Sequence, residues 1–174
     1  MRILVVYSSR TGNTKKVAEA IFSAMPLSTV LSPVNLAPCP VFFDCVIMGF
    51  WNRRAAPDTA MLKFMEGVRG KKVGLFATQG AWPDSDHSRR FMDTARQAVS
   101  DNEVLAEFVC MGKVDPALLE MEAALPPALR RHSMTEERQL RLQEAEKHPD
   151  EHDLVRAKEI FRNMVENLCS TTPE

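Results

Sequence analysis

Short, continuously apolar runs recur along this chain, separated by segments whose apolar residues follow helical spacing. Four such runs lie at residues 3–7, 45–49, 72–77 and 104–111. Apolar side chains on consecutive positions are typical of strands buried on both faces, as in a parallel sheet covered by helices. Strands that alternate with helices favour right-handed crossover connections. The pattern therefore predicts an α/β fold with one parallel sheet and helices on both of its faces.

The segments between the runs have the features of helices. Predicted helices cover residues 14–25, 57–68, a stretch that Asp84 or Ser85 caps, and residues 154–168. Pro57 suits a first helical turn, and an acidic or hydroxyl side chain is a favourable N-cap. Residues 28–31 give a weaker strand signal. With that segment the predicted sheet has five strands.

The stretch from residue 113 to residue 153 departs from this alternation. Residues 115–125 have the pattern of a short helix, a pair of prolines stops it, and residues 135–147 are strongly charged with little amphipathic character. We interpret the stretch as a charged helical excursion between the last strand and the last helix. The whole chain, residues 1–174, is expected to form a single domain, since this length is typical of one domain.

Charge and composition argue against several classes of protein. The formal net charge of −1 gives no global positive field for a nucleic-acid backbone, and the apolar stretches are too short to cross a bilayer. The first residues read as a strand rather than a secretory leader, so we expect a cytoplasmic protein. The four cysteines form no Cys-x-x-Cys pair and have no histidine at zinc-ligand spacing, so we expect buried, reduced thiols and no metal. The histidines are expected at the surface, and no catalytic residue is predicted.

The loop after the first strand carries the most informative polar residues. It comprises Ser9, Arg10, Thr11, Gly12, Asn13 and Thr14. Hydroxyl groups, free backbone N–H groups and the positive end of a helix dipole all favour an anion such as a phosphate. The loop has neither the Gly-x-x-x-x-Gly-Lys-Ser/Thr pattern of a Walker loop nor the Gly-x-Gly-x-x-Gly pattern of a dinucleotide site. On composition alone, a polar N-cap loop without a ligand is the alternative.

Two further loops, each predicted to follow a buried strand, contain the two tryptophans of the chain. One runs through Phe50, Trp51 and Asn52, and the other through Thr78, Gln79, Gly80 and Trp82. The carboxyl ends of parallel strands meet at one edge of the sheet, where ligands of such folds bind. Aromatic faces there suit a flat ring system, since stacking contributes about 0.5–1.5 kcal/mol beyond burial. Together the three loops predict a flat ligand that carries a phosphate.

The residues of the first loop resemble the phosphate loop of flavodoxins. The family pattern Ser/Thr-x-Thr-Gly-x-Thr is matched by Ser9, Thr11, Gly12 and Thr14. The resemblance extends through residues 46–51, 70–80, 112–116 and 148–151, where the chain is similar to a branch of short flavodoxin-like proteins. It implies a flavodoxin-like three-layer αβα sandwich with five parallel strands in the order 2-1-3-4-5. It also implies FMN as a non-covalently bound cofactor.

The resemblance further implies a role for each of the three loops. Residues 9–14 would hold the FMN phosphate, residues 50–52 would lie against one face of the isoalloxazine, and residues 78–80 with Trp82 would form the loop on its other side. The second loop lacks the glycine that flavodoxins commonly carry there. Arg10, Arg53 and Arg54 stand where electron-carrier flavodoxins typically place carboxylates, so we expect them to stabilise the negatively charged reduced flavin.

The leading interpretation is an FMN-binding redox protein that transfers electrons to a partner protein. One alternative is a flavin-dependent reductase or oxidase of a small substrate such as a quinone, a porphyrinogen or a pigment. Another is a flavin-free interaction module that keeps the fold. A homodimer is expected only by analogy with flavodoxin relatives that act as enzymes. Nucleic acids and membranes are not expected as partners.

Overall fold

A five-stranded parallel sheet forms the centre of the fold in this computed structural model, which describes residues 1–130 and 134–170. The strands are β1 (Ile3–Tyr7), β2 (Thr29–Pro33), β3 (Cys45–Trp51), β4 (Lys72–Gln79) and β5 (Glu103–Met111). The helices are α1 (Asn13–Ser23), α2 (Thr59–Met65), α3 (Asp86–Ala98), α4 (Pro116–Ala124), α5 (Glu136–Ala145) and α6 (Glu151–Ser170). The strand order is β2-β1-β3-β4-β5, so the predicted sandwich and its topology are confirmed.

Two hydrophobic layers hold the helices on opposite faces of the sheet. On one face Val5 and Ile47 belong to a buried cluster with residues of α1 and α6. On the other face Val6 and Met48 belong to a cluster with residues of α2 and α3. Successive strand residues point to opposite faces, so each central strand is buried on both sides. This double burial is the physical reason for the consecutive apolar residues in the sequence.

Two glycines inside strands make room for aromatic rings. A β-carbon at Gly49 would collide with the ring of Phe76, and a β-carbon at Gly74 would collide with the ring of Phe161. The rings of Phe76 and Phe161 pack edge to face, with centroids 6.0 Å apart. Phe161 lies on α6, so these contacts position the last helix on the sheet.

Strands β3 and β4 are longer than predicted. Pairing between them continues to Trp51 and Thr78, and β4 runs on to Gln79. Phe50, Trp51, Thr78 and Gln79 were expected in loops, and this expectation is wrong because all four belong to strands. Local residue preferences do not specify where a strand ends, since the extent of pairing depends on the neighbouring strand.

The predicted helical excursion is confirmed and contains α4, a short 3₁₀ turn at Pro127–Leu129 and α5. No residue of α4 is buried, and Ala145 is the one buried residue of α5. Arg138 and Glu122 join the two helices through an ion pair of 2.5 Å. The excursion is therefore an outer layer that contributes little to the hydrophobic core. None of the helices in the described ranges has both the length and the apolar composition needed to cross a membrane.

The cysteines fall into two pairs that differ in exposure. Cys45 and Cys110 are buried in strands, as predicted. Burial raises the pKa of the Cys45 thiol to about 12, with a smaller contribution from the charge of Asp44, and it raises the pKa of Cys110 as well. Cys39 and Cys169 are exposed, so the prediction of buried thiols is wrong for these two. Cys39 lies in a loop between two prolines, and Cys169 lies in the last turn of α6.

Candidate functional site

The structure brings polar residues from three separate segments together at the carboxyl edge of the sheet. The Oγ1 atoms of Thr14 and Thr78 share a buried hydrogen bond of 2.8 Å, which joins the start of α1 to the end of β4. Nδ2 of Asn52 donates to Oε1 of Gln79 over 2.9 Å, which joins the end of β3 to β4. The site residues predicted from distant parts of the sequence are thus neighbours in space.

The loop before α1 presents donors that the described residues leave without an acceptor. The Ser9 hydroxyl is buried and has no hydrogen-bond partner there. Gly12 caps α1 with a φ of +93°, a left-handed conformation that favours glycine, and no side chain caps the helix. An unsatisfied buried hydroxyl costs about 1–3 kcal/mol, which a ligand oxygen would offset. A hydroxyl and an uncapped helix N-terminus together suit a phosphate.

Two other residues of this loop are engaged with the protein itself. Nδ2 of Asn13 donates to the carbonyl oxygen of Lys113 over 2.9 Å. Nε of Arg10 lies 2.8 Å from a carboxylate oxygen of Asp115, and its guanidinium carbon lies 5.9 Å from the centre of the Trp51 ring. Both contacts tie the loop to the segment that follows β5. Asn13 and Arg10 therefore position the loop, and the Asp115 carboxylate neutralises the Arg10 charge.

The aromatic residues of the site differ in exposure. Trp51 is half-buried at the end of β3, and Trp82 is 40% exposed in the loop after β4. Phe50 is fully buried and packs edge to face on Phe91, with ring centroids 5.6 Å apart. The expectation that Phe50 lies against the ligand is therefore wrong for its ring, because the extension of β3 turns that side chain into the core.

Residues 53–56 form a tight reverse turn, which we name the arginine tip. The Arg53 N–H donates to the Ala56 carbonyl over 2.8 Å, and the Ala56 N–H donates back over 3.3 Å. Arg54 and Ala55 have φ values of +58° and +60°. Positive φ at both central residues is the feature of a type I′ turn, which normally requires glycine or asparagine. Here the two positions are Arg54 and Ala55, neither of which is glycine or asparagine.

Two glycines allow close contacts between segments of the site: Gly80 lets the loop after β4 approach the segment after β5, and Gly112 lets that segment approach Asn13. A β-carbon at Gly80 would collide with Val114, and one at Gly112 would lie 2.7 Å from Nδ2 of Asn13. Gln79 is 5% exposed, and its Nε2 has no partner among the described residues. Gln79 therefore offers a second buried donor at the site.

Two carboxylates of the site were missed by the reasoning from sequence. Asp58 is 3% exposed, caps α2 and accepts a hydrogen bond of 2.8 Å from the Ser8 hydroxyl. Asp115 caps α4 and accepts from Arg10. The available signal was the position of each aspartate within the first two residues of a predicted helix, where the side chain can serve as an N-cap.

The histidine expectation holds for His87 and His152, which are exposed, but is wrong for His148, which is half-buried; His132 lies outside the described residues. Nδ1 of His148 lies 2.5 Å from Asp153, and Nε2 lies 3.5 Å from Glu144. Partial burial acts to lower the pKa of His148, but the hydrogen bond with Asp153 and nearby carboxylates outweigh it and raise the pKa. Asp150 and Asp153 also accept from each other's backbone N–H, so this cluster forms the start of α6.

Comparison with known proteins gives matches across most of the chain. A sequence model of the flavodoxin domain matches residues 4–162. The flavodoxin-like domain-containing protein BilS of Clostridioides difficile (strain CD3) is 30% identical over 173 residues, which cover 95% of this chain and 97% of that relative. The protein of the same name from Clostridium symbiosum (strain WAL-14163) is 28% identical over 139 residues, which cover 69% of this chain and 73% of that relative.

Solved structures show the same fold. Oxidised flavodoxin 2 from Bacillus cereus superposes with a TM-score of 0.61 at 15% identity and covers 96% of this chain and 99% of its own. A flavodoxin from the domain Archaea superposes with a TM-score of 0.57 at 14% identity and covers 97% and 99%. The structural likeness supports the strand order and the layers described above. With the sequence match over residues 4–162, the chain belongs to the flavodoxin domain family.

Proposed function

We propose that the protein binds FMN and transfers electrons to a partner protein. Its family and fold support a flavin-binding redox function. The observation that carries the choice of a phosphorylated flavin is the buried Ser9 hydroxyl, which has no hydrogen-bond partner in the described ranges and lies just before α1, whose N-cap glycine has no side chain. FMN would supply the redox chemistry, and the protein would supply binding, orientation and charge.

Different residues of the site would hold different parts of such a cofactor. Ser9, Thr11 and the backbone N–H groups at the start of α1 would bind the phosphate, while Asn13 and Thr14 hold the loop through their bonds to Lys113 and Thr78. Trp51 and Trp82 would flank the ring system together with Asn52 and Gly80. Nε2 of Gln79, which has no partner in the part of the chain that the structure describes, would donate to an acceptor on the cofactor. In this arrangement the exposed part of the Trp82 side chain would lie at the solvent-facing side of the site.

The substitution Ser9→Ala tests the phosphate assignment. Loss of one hydrogen bond to a charged oxygen is expected to weaken FMN binding by about 10-fold or more. The measurement is a titration of purified protein into FMN, followed by quenching of flavin fluorescence. Ser28→Ala is the matched control, because Ser28 is exposed and contacts the carbonyl oxygen of Met1.

The outcomes of this titration separate the alternatives. Equal affinities of the wild type and Ser9→Ala would contradict the phosphate assignment. Wild-type protein that leaves flavin fluorescence unchanged at every concentration would favour a flavin-free interaction module.

The arginine tip bears on the reduction potentials. Arg10 is ion-paired with Asp115, so the expected stabilisation of reduced, negatively charged flavin falls to Arg53 and Arg54. We expect the double substitution Arg53→Gln/Arg54→Gln to lower the potential of the second one-electron reduction by about 20–40 mV, from screened attraction of about 1 kcal/mol or less. Anaerobic potentiometric titration measures it. A control that removes two distant charges, Lys63→Gln/Arg156→Gln, should leave the potential in place.

A second candidate is a flavin-dependent reductase of a small, flat substrate. The 40% exposure of Trp82 favours it, since an exposed indole beside the cofactor offers a stacking surface. The test is NAD(P)H consumption by the isolated FMN-loaded protein with a quinone or a pigment as the electron acceptor. Turnover without any second protein would favour this candidate over an electron carrier.

A further inference from the structure

The arginine tip is held in place from several sides. The Ala55 N–H donates to Oδ1 of Asn52 over 2.9 Å, and a β-bridge joins Asn52 to Pro57 at the base of the turn. Nδ2 of Asn52 is bound to Gln79 and lies 3.2 Å from Nε2 of His87. The base of the tip is therefore fixed to β4 and to the start of α3. Left-handed non-glycine residues persist where the surrounding structure determines them, and they concentrate at functional positions.

The tip carries two exposed positive charges. Arg53 and Arg54 are both exposed, and within the described ranges neither forms an ion pair. Nη1 of Arg53 donates to the Thr59 hydroxyl over 2.5 Å, which fixes that side chain without neutralising it. Arg10, the third arginine of the site, is neutralised by Asp115. Of the three arginines of the site, the two at the tip therefore carry positive charge that no carboxylate in the described ranges pairs.

The chemistry of the tip points to carboxylates. Guanidinium groups bind carboxylates through paired hydrogen bonds, and a fixed backbone lowers the conformational entropy lost on binding. Two acidic residues occur in neighbouring segments. Asp84 lies two residues after Trp82, and Asp58 is buried and accepts a hydrogen bond from Ser8, so within the described ranges neither pairs with the tip.

We propose that the arginine tip is the docking point for an acidic surface of the partner protein, which it would place beside Trp51 and the exposed Trp82. This proposal rests on the electron-transfer function proposed above. A small acidic substrate is a poorer fit, because small ligands bind in concave sites. A two-residue reverse turn instead projects its exposed side chains outward. Complementary charge at such a point would orient the partner and accelerate its encounter.

The test uses the FMN-loaded protein and labelled poly-L-glutamate of about 50 residues as an acidic probe. Binding is followed by fluorescence anisotropy at low salt and again at about 150 mM NaCl, where exposed charges more than about 8 Å apart are screened. Arg53→Gln/Arg54→Gln is expected to weaken binding by about fivefold or more. Arg53→Lys/Arg54→Lys, which keeps the charge, should restore most of the loss.

The matched control is Lys63→Gln/Arg156→Gln, which removes the same charge from α2 and α6. Both residues are exposed and belong to none of the ion pairs within the described ranges. The control should bind poly-L-glutamate within about twofold of the wild type. Equal losses in the control and the tip variant would show that net charge, rather than the tip, binds the probe, and would overturn the proposal.

Two further outcomes bear on the proposal. If citrate displaced the probe at the same carboxylate concentration as unlabelled poly-L-glutamate, the tip would be a small-acid site and the proposal would fail. FMN titrations of the same preparations test the redox function separately. If the wild type binds FMN but the tip variant binds the probe as tightly as the wild type does, the docking proposal alone is refuted. If the wild type binds no FMN, the proposed function is refuted.

Discussion

At the scale of single residues, Ala55 is one of two non-glycine residues that have a positive φ in the described part of the chain. Its φ of +60° lies in the left-handed region, where a residue with a β-carbon costs about 1–2 kcal/mol. We expect Ala55→Gly to raise the free energy of unfolding by about 0.5–1 kcal/mol, because relief of the strain exceeds the added entropy of glycine in the unfolded chain. Urea unfolding of the two proteins measures the difference.

The neighbouring residue provides the control for that measurement. Ala56 is not among the residues with positive φ, so Ala56→Gly relieves no strain and should lower the free energy of unfolding. Destabilisation by both substitutions to a similar extent would contradict the strain at Ala55.

Residue-level features of the site were predictable where the chemistry is local. Gly12 is an example, because a glycine just before a helix suits the left-handed backbone that the structure has there. That Ser9, Thr11 and Gly12 bind a phosphate stays a prediction. The inward turn of Phe50 was not predictable, because it depends on where the pairing of β3 with β4 ends. The ion pair of Arg10 with Asp115 could not be predicted from the sequence either, since it joins residues 105 positions apart.

At the scale of elements, His148 connects the end of α5 to the start of α6 through Glu144 and Asp153. Its pKa is raised in the folded protein above the ordinary value of 6.5, so protonation favours the folded state. The stabilisation is fully present below about pH 6.5 and is lost as the pH rises through the raised pKa. We expect His148→Gln to destabilise the protein more at pH 6 than at pH 9, as measured by urea unfolding.

The comparison between variants isolates this one group. Other residues titrate over the same range, so the relevant quantity is the difference between the wild type and the variant at each pH. His152→Gln, at an exposed position on α6, serves as the control. A loss of stability from His148→Gln that is the same at pH 6 and pH 9 would contradict a stabilising role of the protonated ring.

For the whole molecule, the main feature is that both ends of the excursion are attached to the segment around the start of α1. Arg10 binds Asp115 and Asn13 binds the Lys113 carbonyl at one end, while Nζ of Lys16 donates to the Pro149 carbonyl over 2.6 Å at the other. A ligand that orders the phosphate loop should therefore also stabilise the excursion. FMN at 100 times its Kd would stabilise the folded protein by about 2.7 kcal/mol.

Limited trypsin digestion tests this coupling. We expect FMN to slow cleavage within residues 116–145, and Asp115→Asn to accelerate it by about two- to fivefold, the effect of losing a partly exposed ion pair. Asparagine still caps α4, so the helix itself is kept. Mass spectrometry identifies the cleavage sites, and Asp84→Asn is the control. Cleavage at the same rate with and without FMN would show that the two regions are independent.

The overall architecture followed from the sequence because it depends on repeated, additive signals. Consecutive apolar residues at Ile3–Tyr7 gave the bounds of β1 directly, and the break in alternation marked the excursion. The ends of helices and strands were harder to predict. Helix α2 covers Thr59–Met65 rather than 57–68, because Asp58 is its N-cap residue and Pro57 lies before it. The fold class arises from average hydrophobicity, whereas the ends arise from individual tertiary contacts.

The ring of Phe76 fills the space that a β-carbon at Gly49 would need, and the ring of Phe161 does the same at Gly74. We therefore expect each pair to change together, so that a relative that gains a methyl group at the glycine should carry a smaller side chain at the aromatic position. A designer who transplants α6 onto another sheet of this kind would have to move Gly74 with it.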